Sequence, residues 1–195
     1  MFKLSKPSQS EIDRFLLRAR GQGFSYTEVG STHGSIPVGY TVDHNRVSLG
    51  SGSRIFDDAA AALRTWQMFD LGWVRLFQPN TPIKVGATVV VLIRHFGFWS
   101  LNACRVVYLI EEEQRFGFAY GTLQEHAEQG EERFSVEQEP GSDSVFYDIL
   151  AFSKARQWQA TVARPISRML QRQFARDSMA AMKRAVQGLS SRGNR

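Results

Sequence analysis

The residues best suited to chemistry are concentrated in one stretch, FGFAYGTLQEHAEQGEERF at 116–134, which sets His126 among carboxylates and three glycines. Apolar and polar residues alternate at 116–122 and again at 132–136, as in two paired strands. A lone histidine, with no second one at ligand spacing, makes a poor metal site. We therefore interpret 123–130 as a polar hairpin connection in which Gly130 adopts positive φ. A position for His126 at the mouth of a pocket is the alternative.

The other reactive side chains are scattered. His33, His44 and His95 lie in separate segments, and no HExxH-type pair is present. The single cysteine, Cys104, excludes an internal disulfide and lies in an apolar strand, which indicates a buried thiol in a reducing compartment. We predict no metal site and no cofactor. Without a signal peptide pattern at the start or an apolar run of about 20 residues, the sequence predicts a cytoplasmic protein.

Three polar residues interrupt strands that are otherwise apolar: His95 in VVVLIRHF, Arg105 in LNACRVVYLI and Asp148 in VFYDILAF. Burying a charge without a partner costs several kcal/mol. Each residue must therefore pair with an opposite charge, reach the rim of the sheet or face a wet cavity. A structural Arg–Asp or His–Asp pair is the first interpretation. A polar anchor in a ligand pocket and an acid–base pair are the alternatives.

The spacing of apolar residues predicts the elements that position these groups. A helix at 10–20 is capped by Ser8 or Ser10, a helix at 53–69 is capped by Ser53, and a helix beginning at Pro165 stops at Gly188. Period-two alternation predicts seven strands. They are 40–49, 74–77, 88–96, 101–111, 115–123, 131–138 and 144–152.

A meander of this length curls and leaves one concave apolar face that a long amphipathic helix can cover. The order of elements predicts an α+β helix-grip fold of the START-like and Bet v 1-like kind. About seven antiparallel strands wrap on the C-terminal helix, with one helix after the first strand and a short N-terminal helix. We expect a single domain at 1–187, with its core at 40–187 after an N-terminal helix and glycine-rich segment at 1–39. A disordered tail at 188–195 follows.

Longer phrases add a resemblance. YTEVGSTHG, MFDLGWVRLF, VGATVVVLIRHFGFWSLNACRVVY, FGFAYGTLQEHAEQGEERF and FARDSMAAMKRA resemble the uncharacterised family called domain of unknown function 1990, from about residue 24 to 185. The resemblance implies a mostly bacterial, soluble, single-domain protein. It implies no reaction, because no catalytic residues are established for the family that could be carried over.

Charge is unevenly distributed along the chain. Residues 154–195 hold ten lysines and arginines against one acid, and residues 111–143 hold ten acids against two arginines. Arg164, Arg168, Arg172 and Arg176 recur every four residues and form one ridge of the last helix. A solvated ridge is the first interpretation, and pairing with the acidic segment within the fold is a separate possibility. Contact with a polyanion or membrane surface, weak and non-specific, is the alternative, and no specific nucleic acid is expected.

These features predict a binder of a small apolar or aromatic molecule, held between the sheet and the last helix, rather than an enzyme. The alternative is a hydrolase- or cyclase-like enzyme that uses Asp148 or His95 as acid or base in the same pocket. A third class is an interaction module that uses the basic helix. The predicted ligand-binding residues are Trp66, Trp99, Arg105, Tyr108, Phe118, Tyr120, Tyr147, Asp148 and Phe152.

Overall fold

The computed structural model describes residues 2–126, 128–155 and 164–192. The helices of this part are α1 (Gln9–Arg20), α2 (Ser53–Arg64) and α3 (Arg164–Arg192), with short 3-10 turns at Ser31–His33 and Gln67–Phe69. Its strands are β1 (Phe2–Lys3), β2 (Thr41–Ser51), β3 (Val74–Phe77), β4 (Thr88–His95), β5 (Phe98–Glu112), β6 (Arg115–Thr122), β7 (Glu128–Gln138) and β8 (Ser144–Ala155).

The strands form one antiparallel sheet in the order β2-β8-β7-β6-β5-β4-β3, and the short β1 pairs with the start of β5. Strands β3 to β8 follow one another as a meander, and β2 closes the far edge beside β8. The sheet curls around α3, so the helix-grip fold predicted from the order of elements is confirmed. Strand β1 was not predicted, because two residues carry no alternation signal.

The two faces of the sheet carry different helices. The concave face packs against α2 and α3, and its aromatic core includes Phe118 and Phe134, whose ring centroids are 5.5 Å apart. The convex face packs against α1 through a smaller cluster that includes Phe15 and Leu101. Inward residues alternate with outward ones along a strand, so β4 and β5 contribute to both clusters.

The N-terminus of α1 follows the prediction, whereas both ends of α2 differ from it. Ser8 caps α1 in a capping box with Glu11, as one of the two predicted serines. The N-cap of α2 is Gly52, not Ser53, and α2 ends at Arg64 rather than near residue 69. The break follows at Trp66, which adopts a left-handed φ of 58° while its buried indole donates a 2.8 Å hydrogen bond to the Thr81 carbonyl. Tertiary packing of this side chain therefore overrides the helical spacing.

The predicted stop at Gly188 is wrong, because α3 continues to Arg192. A glycine inside a helix costs only about 1 kcal/mol relative to alanine, so it does not end a helix by itself. The helix buries one stripe that includes Ala175, Ser178 and Met182 against the sheet and α2. Residues 193–195 of the predicted tail lie outside the described residues.

The hairpin interpretation of 116–134 is confirmed, but its connection is shorter than predicted, because β7 begins at Glu128. Gly130 has a φ of 157°, and a Cβ there would lie 1.9 Å from the Phe152 carbonyl oxygen on β8. The close approach of the two strands requires glycine. No helix in the described ranges is long and apolar enough to cross a membrane.

Candidate functional site

A cavity of about 680 Å³ lies between the concave face of the sheet and α3. Most of its lining is apolar and comes from β4, β5, β8, the turn after α2, and α3. Representative lining residues are Phe69, Ile93, Phe98, Ile149, Leu170 and Phe174. Pockets that hold drug-sized ligands measure about 300–1,000 Å³, and the volume of this cavity lies within that range.

Exposed apolar side chains mark the opening of the cavity. Phe96, in the turn between β4 and β5, and Phe98, the first residue of β5, are 63% and 44% exposed, and Ile166 on α3 is 47% exposed. Phe96 adopts a left-handed φ of 48° next to Gly97 at 79°, so the tight turn holds both rings at this edge of the sheet. The cavity reaches the surface between this turn and the start of α3.

Glu132 faces the cavity with one hydrogen-bond donor, and no cation lies within 4 Å of it among the described residues. It lies on β7 opposite Tyr120 on β6, and the Tyr120 hydroxyl donates a 2.8 Å hydrogen bond to its Oε2. Burial is the main cause that raises the pKa of Glu132 to about 7, with the charges of Glu128 and Asp43 adding to it. The carboxyl group is therefore poised between its neutral and charged forms near neutral pH.

Two other acids on the same wall have partners on α3. The Gln171 amide donates a 2.7 Å hydrogen bond to Glu128, whose pKa is raised chiefly by burial. The two terminal guanidinium nitrogens of Arg168, Nη1 and Nη2, donate hydrogen bonds to the Asp43 carboxylate, and Nη2 lies 2.6 Å from Oδ1. These contacts attach α3 to β7 and β2 at the end of the cavity.

Two histidines also border the cavity. His126 follows β6, and its Nδ1 accepts a 3.0 Å hydrogen bond from the Glu128 backbone N–H, which closes the turn. Burial lowers the pKa of His126 to about 4, so the ring is neutral at pH 7. Burial also lowers the pKa of His95, at the end of β4. The position of His126 thus combines both interpretations of the opening stretch, a hairpin connection and a residue at the cavity edge.

Nothing in the described ranges resembles a metal centre, since no group of three or more histidine, cysteine, aspartate or glutamate residues converges there. Cys104 borders the cavity, but burial raises the pKa of its thiol well above the usual range. A thiol that stays protonated is a poor nucleophile.

Of the nine residues predicted to bind a ligand, Tyr120 and Phe152 border the cavity. Tyr120 does so through the side chain that bonds Glu132. The Phe152 ring instead packs edge-on against Tyr26 and Tyr40, with centroid distances of 5.8 Å and 4.9 Å. Phe152 therefore bounds the cavity from the strand on which it lies, while its ring points to the convex side.

Trp66, Phe118 and Tyr147 lie on the concave side, but in the packed part of the core rather than around the cavity. Trp66 meets the Phe118 ring edge-on at 4.9 Å, and the Tyr147 hydroxyl lies 2.9 Å from the Ser178 hydroxyl on α3. All three side chains are at most 2% exposed. These three residues lie on the predicted side of the sheet, but protein side chains rather than a cavity lie in front of them.

Trp99, Arg105 and Tyr108 lie on the convex face instead. Trp99 packs against the α1 cluster, and Arg105 donates to the carbonyls of Ala19 and Arg20 at the end of α1, at 3.2 and 3.0 Å. Tyr108 follows a β-bulge between Val106 and Tyr108, which reverses the alternation, so its hydroxyl meets Thr32 at 2.8 Å. None of the three residues therefore lines the cavity.

Asp148 is also on the convex face, where it forms a structural pair, but with Arg133 and His44 rather than with Arg105 or His95. Its buried carboxylate accepts a 3.1 Å hydrogen bond from Arg133 Nη2 and lies 2.6 Å from Nε2 of His44. It cannot act as acid or base in the cavity from the opposite side of the sheet. Of the two predicted catalytic candidates, only His95 borders the cavity.

The neighbour of Glu132, Glu131, points to the convex face and explains part of the YTEVGSTHG phrase. Its carboxylate accepts hydrogen bonds from the Tyr26 hydroxyl at 2.6 Å, the Gly30 N–H at 2.7 Å and both the N–H and the hydroxyl of Thr32. These bonds attach residues 26–32 to the outside of the sheet. We infer that this conspicuous phrase serves the fold.

The arginines of the basic ridge on α3 have different surroundings. Arg168 is bound to Asp43, whereas Arg172 and Arg176 are exposed, and Arg176 lies 3.4 Å from Asp177. The side chain of Arg164 lies outside the described part. The partner of Arg168 comes from β2 and not from the predicted acidic segment, 111–143.

Sequence reasoning placed Glu132 on a strand but did not select it as a site residue. The signal was present, since an acid alternates there with Phe134 and Val136 on an apolar face. Glu128 and Asp43 carry no such local signal, because each acquires its position through contact with α3.

Solved structures of the same fold include a norcoclaurine synthase point mutant from Thalictrum flavum. It has a TM-score of 0.50 and 12% identity, covering 83% of this chain and 100% of that one. A START superfamily protein from Mycobacterium smegmatis has a TM-score of 0.49 and 13% identity, covering 77% and 99%. At these identities the likeness concerns the fold alone.

Sequence relatives are much closer. A UPF0548 protein of Deinococcus radiodurans is 39% identical over 95% of this chain and 99% of its own length. Another from Dictyostelium discoideum is 36% identical over 95% and 96%. Relatives therefore occur in eukaryotes as well as bacteria, and the family does not by itself indicate a bacterial source. Residues 25–181 match the family described as Domain of unknown function (DUF1990), and the chain belongs to that family.

Proposed function

We propose that this protein binds a small, largely apolar or aromatic molecule in the cavity between the sheet and α3. One observation carries the proposal: a cavity of about 680 Å³, with a mostly apolar wall, is left open in a core that is otherwise closely packed. Protein interiors rarely leave voids of this size, because an unfilled apolar space forfeits packing energy. A cavity kept open at that cost is best explained by an occupant.

Binding can be tested with N-phenyl-1-naphthylamine, a neutral apolar dye that fluoresces when it leaves water. We expect saturable fluorescence with one dye per chain, and native mass spectrometry of freshly purified protein to show retained small molecules. Ligand at 100 times its Kd should also stabilise the fold by about 2.7 kcal/mol.

The location is tested by a matched pair of substitutions. Ala151 on β8 borders the cavity, so Ala151→Leu reduces its volume and should weaken dye binding at least about tenfold, or about 1.4 kcal/mol. Ala61 on α2 is exposed, so Ala61→Leu makes the same chemical change away from the cavity and should leave binding unchanged. Equal affinity in both folded variants, or no saturable binding in the parent protein, would refute the proposal.

We propose as a second candidate an acid–base enzyme in the same cavity. The observation that favours it is the hydrogen-bonded pair of Tyr120 and Glu132 in the cavity, and His95 lies elsewhere on the lining. A carboxyl group with a pKa near 7 is suited to take and return a proton. Hydrolysis of 1-naphthyl acetate should then exceed the buffer rate and fall in Glu132→Gln or His95→Gln. Glu112→Gln, a change at an exposed site, is the control. If Glu132→Gln and His95→Gln hydrolyse the ester as fast as this control, the reaction is excluded.

A further inference from the structure

The carboxylates on the cavity wall differ in the partners that the protein gives them. Three carboxylates from the concave face approach the cavity, those of Asp43, Glu128 and Glu132. Arg168 neutralises Asp43 with two hydrogen bonds, and the Gln171 amide binds Glu128. Within the described ranges, the protein supplies the Tyr120 hydroxyl to Glu132, but no cation within 4 Å. The wall therefore carries a negative group that the fold leaves without a counter-charge.

Glu132, half-buried at the cavity, contrasts with the fully buried Glu131 and Asp148 on the other face of the sheet. Glu131 accepts from four donors, and Asp148 is bound by Arg133 and His44. A buried acid is normally paired, because desolvation of a lone carboxylate costs several kcal/mol. One donor leaves most of the acceptor capacity of a carboxylate unused. Because Glu132 borders the cavity, its remaining acceptor capacity is available to a bound molecule.

We propose that the molecule bound in the cavity carries a protonated amine, and that Glu132, oriented by Tyr120, receives it. This inference rests on the proposed function, and it adds the chemical class of the ligand: an apolar or aromatic body with a cationic nitrogen. An ammonium group would supply both the missing charge and the missing N–H donors. A carboxylate or phosphate in the same position would be repelled.

The charged and titratable groups that approach Glu132 from the surrounding elements favour a cation over an anion. The groups that interact with Glu132 carry no positive charge, and Arg168, the cation near Asp43 and Glu128, is already bound to Asp43. The interacting groups are Asp43, Cys104, Tyr120, Glu128 and Tyr147, and His126 borders the same cavity. His126 is neutral at pH 7, because burial lowers its pKa to about 4. A positive ligand would relieve the repulsion among Asp43, Glu128 and Glu132.

Three naphthalene compounds of similar shape separate charge from apolar contact: 2-(1-naphthyl)ethylamine, 2-(1-naphthyl)ethanol and 1-naphthylacetic acid. Each is titrated against protein loaded with N-phenyl-1-naphthylamine, and displacement gives its Kd. We expect the amine to bind about tenfold more tightly than the alcohol, since a charge-assisted hydrogen bond is about twice as strong as a neutral one. The acid should bind most weakly.

Substitutions then assign the preference to Glu132. Glu132→Gln keeps the shape and a carbonyl for Tyr120 but removes the charge, so it should abolish the amine preference while the alcohol still binds. Glu112→Gln, on an exposed part of β5, is the matched control and should keep the preference. In the parent protein, the ratio of amine to alcohol affinity should rise between pH 6 and 8, as Glu132 loses its proton, and stay flat in Glu132→Gln.

The outcomes separate this inference from the proposed function. If the dye and the alcohol bind but the amine shows no preference, or if Glu132→Gln retains the preference, the amine inference is wrong and the cavity proposal stands. If neither the dye nor any naphthalene compound binds, the cavity proposal itself fails. Tyr120→Phe is a second variant for the case in which Glu132→Gln does not fold, and it should reduce the amine preference in part.

Discussion

The Tyr120 hydroxyl donates a 2.8 Å hydrogen bond to Oε2 of Glu132 across the adjacent strands β6 and β7. Both residues belong to the concave face, and both border the cavity. The bond stabilises the charged form of Glu132, but the cost of burial is larger, so the pKa of the carboxyl group remains raised. This pair is the polar exception in a mostly apolar wall.

The raised pKa of Glu132 predicts a specific pH dependence of stability. The folded protein holds this proton up to about pH 7, whereas the ordinary pKa of a glutamate is 4.5. Glu132 therefore contributes stability that is fully present below about pH 4.5 and lost as the pH rises through about 7. We expect Glu132→Gln to gain on the order of 2 kcal/mol relative to the parent between pH 5 and 8.

Urea unfolding at pH 5 and 8 measures this gain, with Glu112→Gln as the control. Tyr120→Phe removes a hydrogen bond that lowers the pKa of Glu132, so this pKa should rise further. The loss of stability with rising pH should then extend to higher pH than in the parent. A difference between Glu132→Gln and the parent that does not change with pH would contradict the prediction.

Gly130 should tolerate no side chain. In Gly130→Ala the new Cβ would fall 1.9 Å from the Phe152 carbonyl oxygen, and only separation of β7 from β8 could relieve the clash. We expect a loss of at least about 3 kcal/mol, seen as a lower urea midpoint or a loss of folded protein.

The matched change is Gly188→Ala, inside α3, where a new Cβ would meet no atom within 4 Å beyond the backbone of the helix itself. It should stabilise the fold by about 0.5–1 kcal/mol, because alanine is the better helix former. Destabilisation of similar size in both variants would show that the close approach at Gly130 is not the cause.

Glu131 should hold the segment 26–32 on the convex face. Glu131→Ala leaves the buried donors of Tyr26, Gly30 and Thr32 without their acceptor, which we expect to cost about 3 kcal/mol. Amide hydrogen exchange should increase selectively at 26–32. Glu112→Ala, at an exposed site, should change neither quantity, and slow exchange at 26–32 in Glu131→Ala would refute the role.

The basic residues of α3 should divide into two classes. Arg168→Gln breaks the bidentate pair with Asp43 and should lower stability by about 1 kcal/mol, whereas Arg172→Gln should change it by less than about 0.5 kcal/mol. The double variant Arg172→Gln and Arg176→Gln should weaken heparin retention at low salt without a change in unfolding midpoint. Equal retention would exclude these exposed arginines as a polyanion-binding surface.

Local alternation was sufficient to predict the sheet, because the side chains of a strand face opposite sides with a period of two. The seven longer strands, the hairpin of β6 and β7 and the concave position of Phe118, Tyr120 and Phe134 all follow from that pattern. The order of strands and helices was likewise enough to predict the helix-grip fold, since a long meander must curl over something apolar.

Tertiary structure decided the features that depend on single-residue shifts and on distant partners. The bulge after Val106 turns Tyr108 outward, and a left-handed Trp66 breaks the helical pattern just after α2. Adjacent acids on β7 have opposite fates: Glu131 is saturated by a loop about 100 residues earlier in the chain, and Glu132 faces the cavity. Residue type alone cannot distinguish Glu131 from Glu132, because the energy of a buried charge depends on hydrogen-bond donors that only the folded chain brings near.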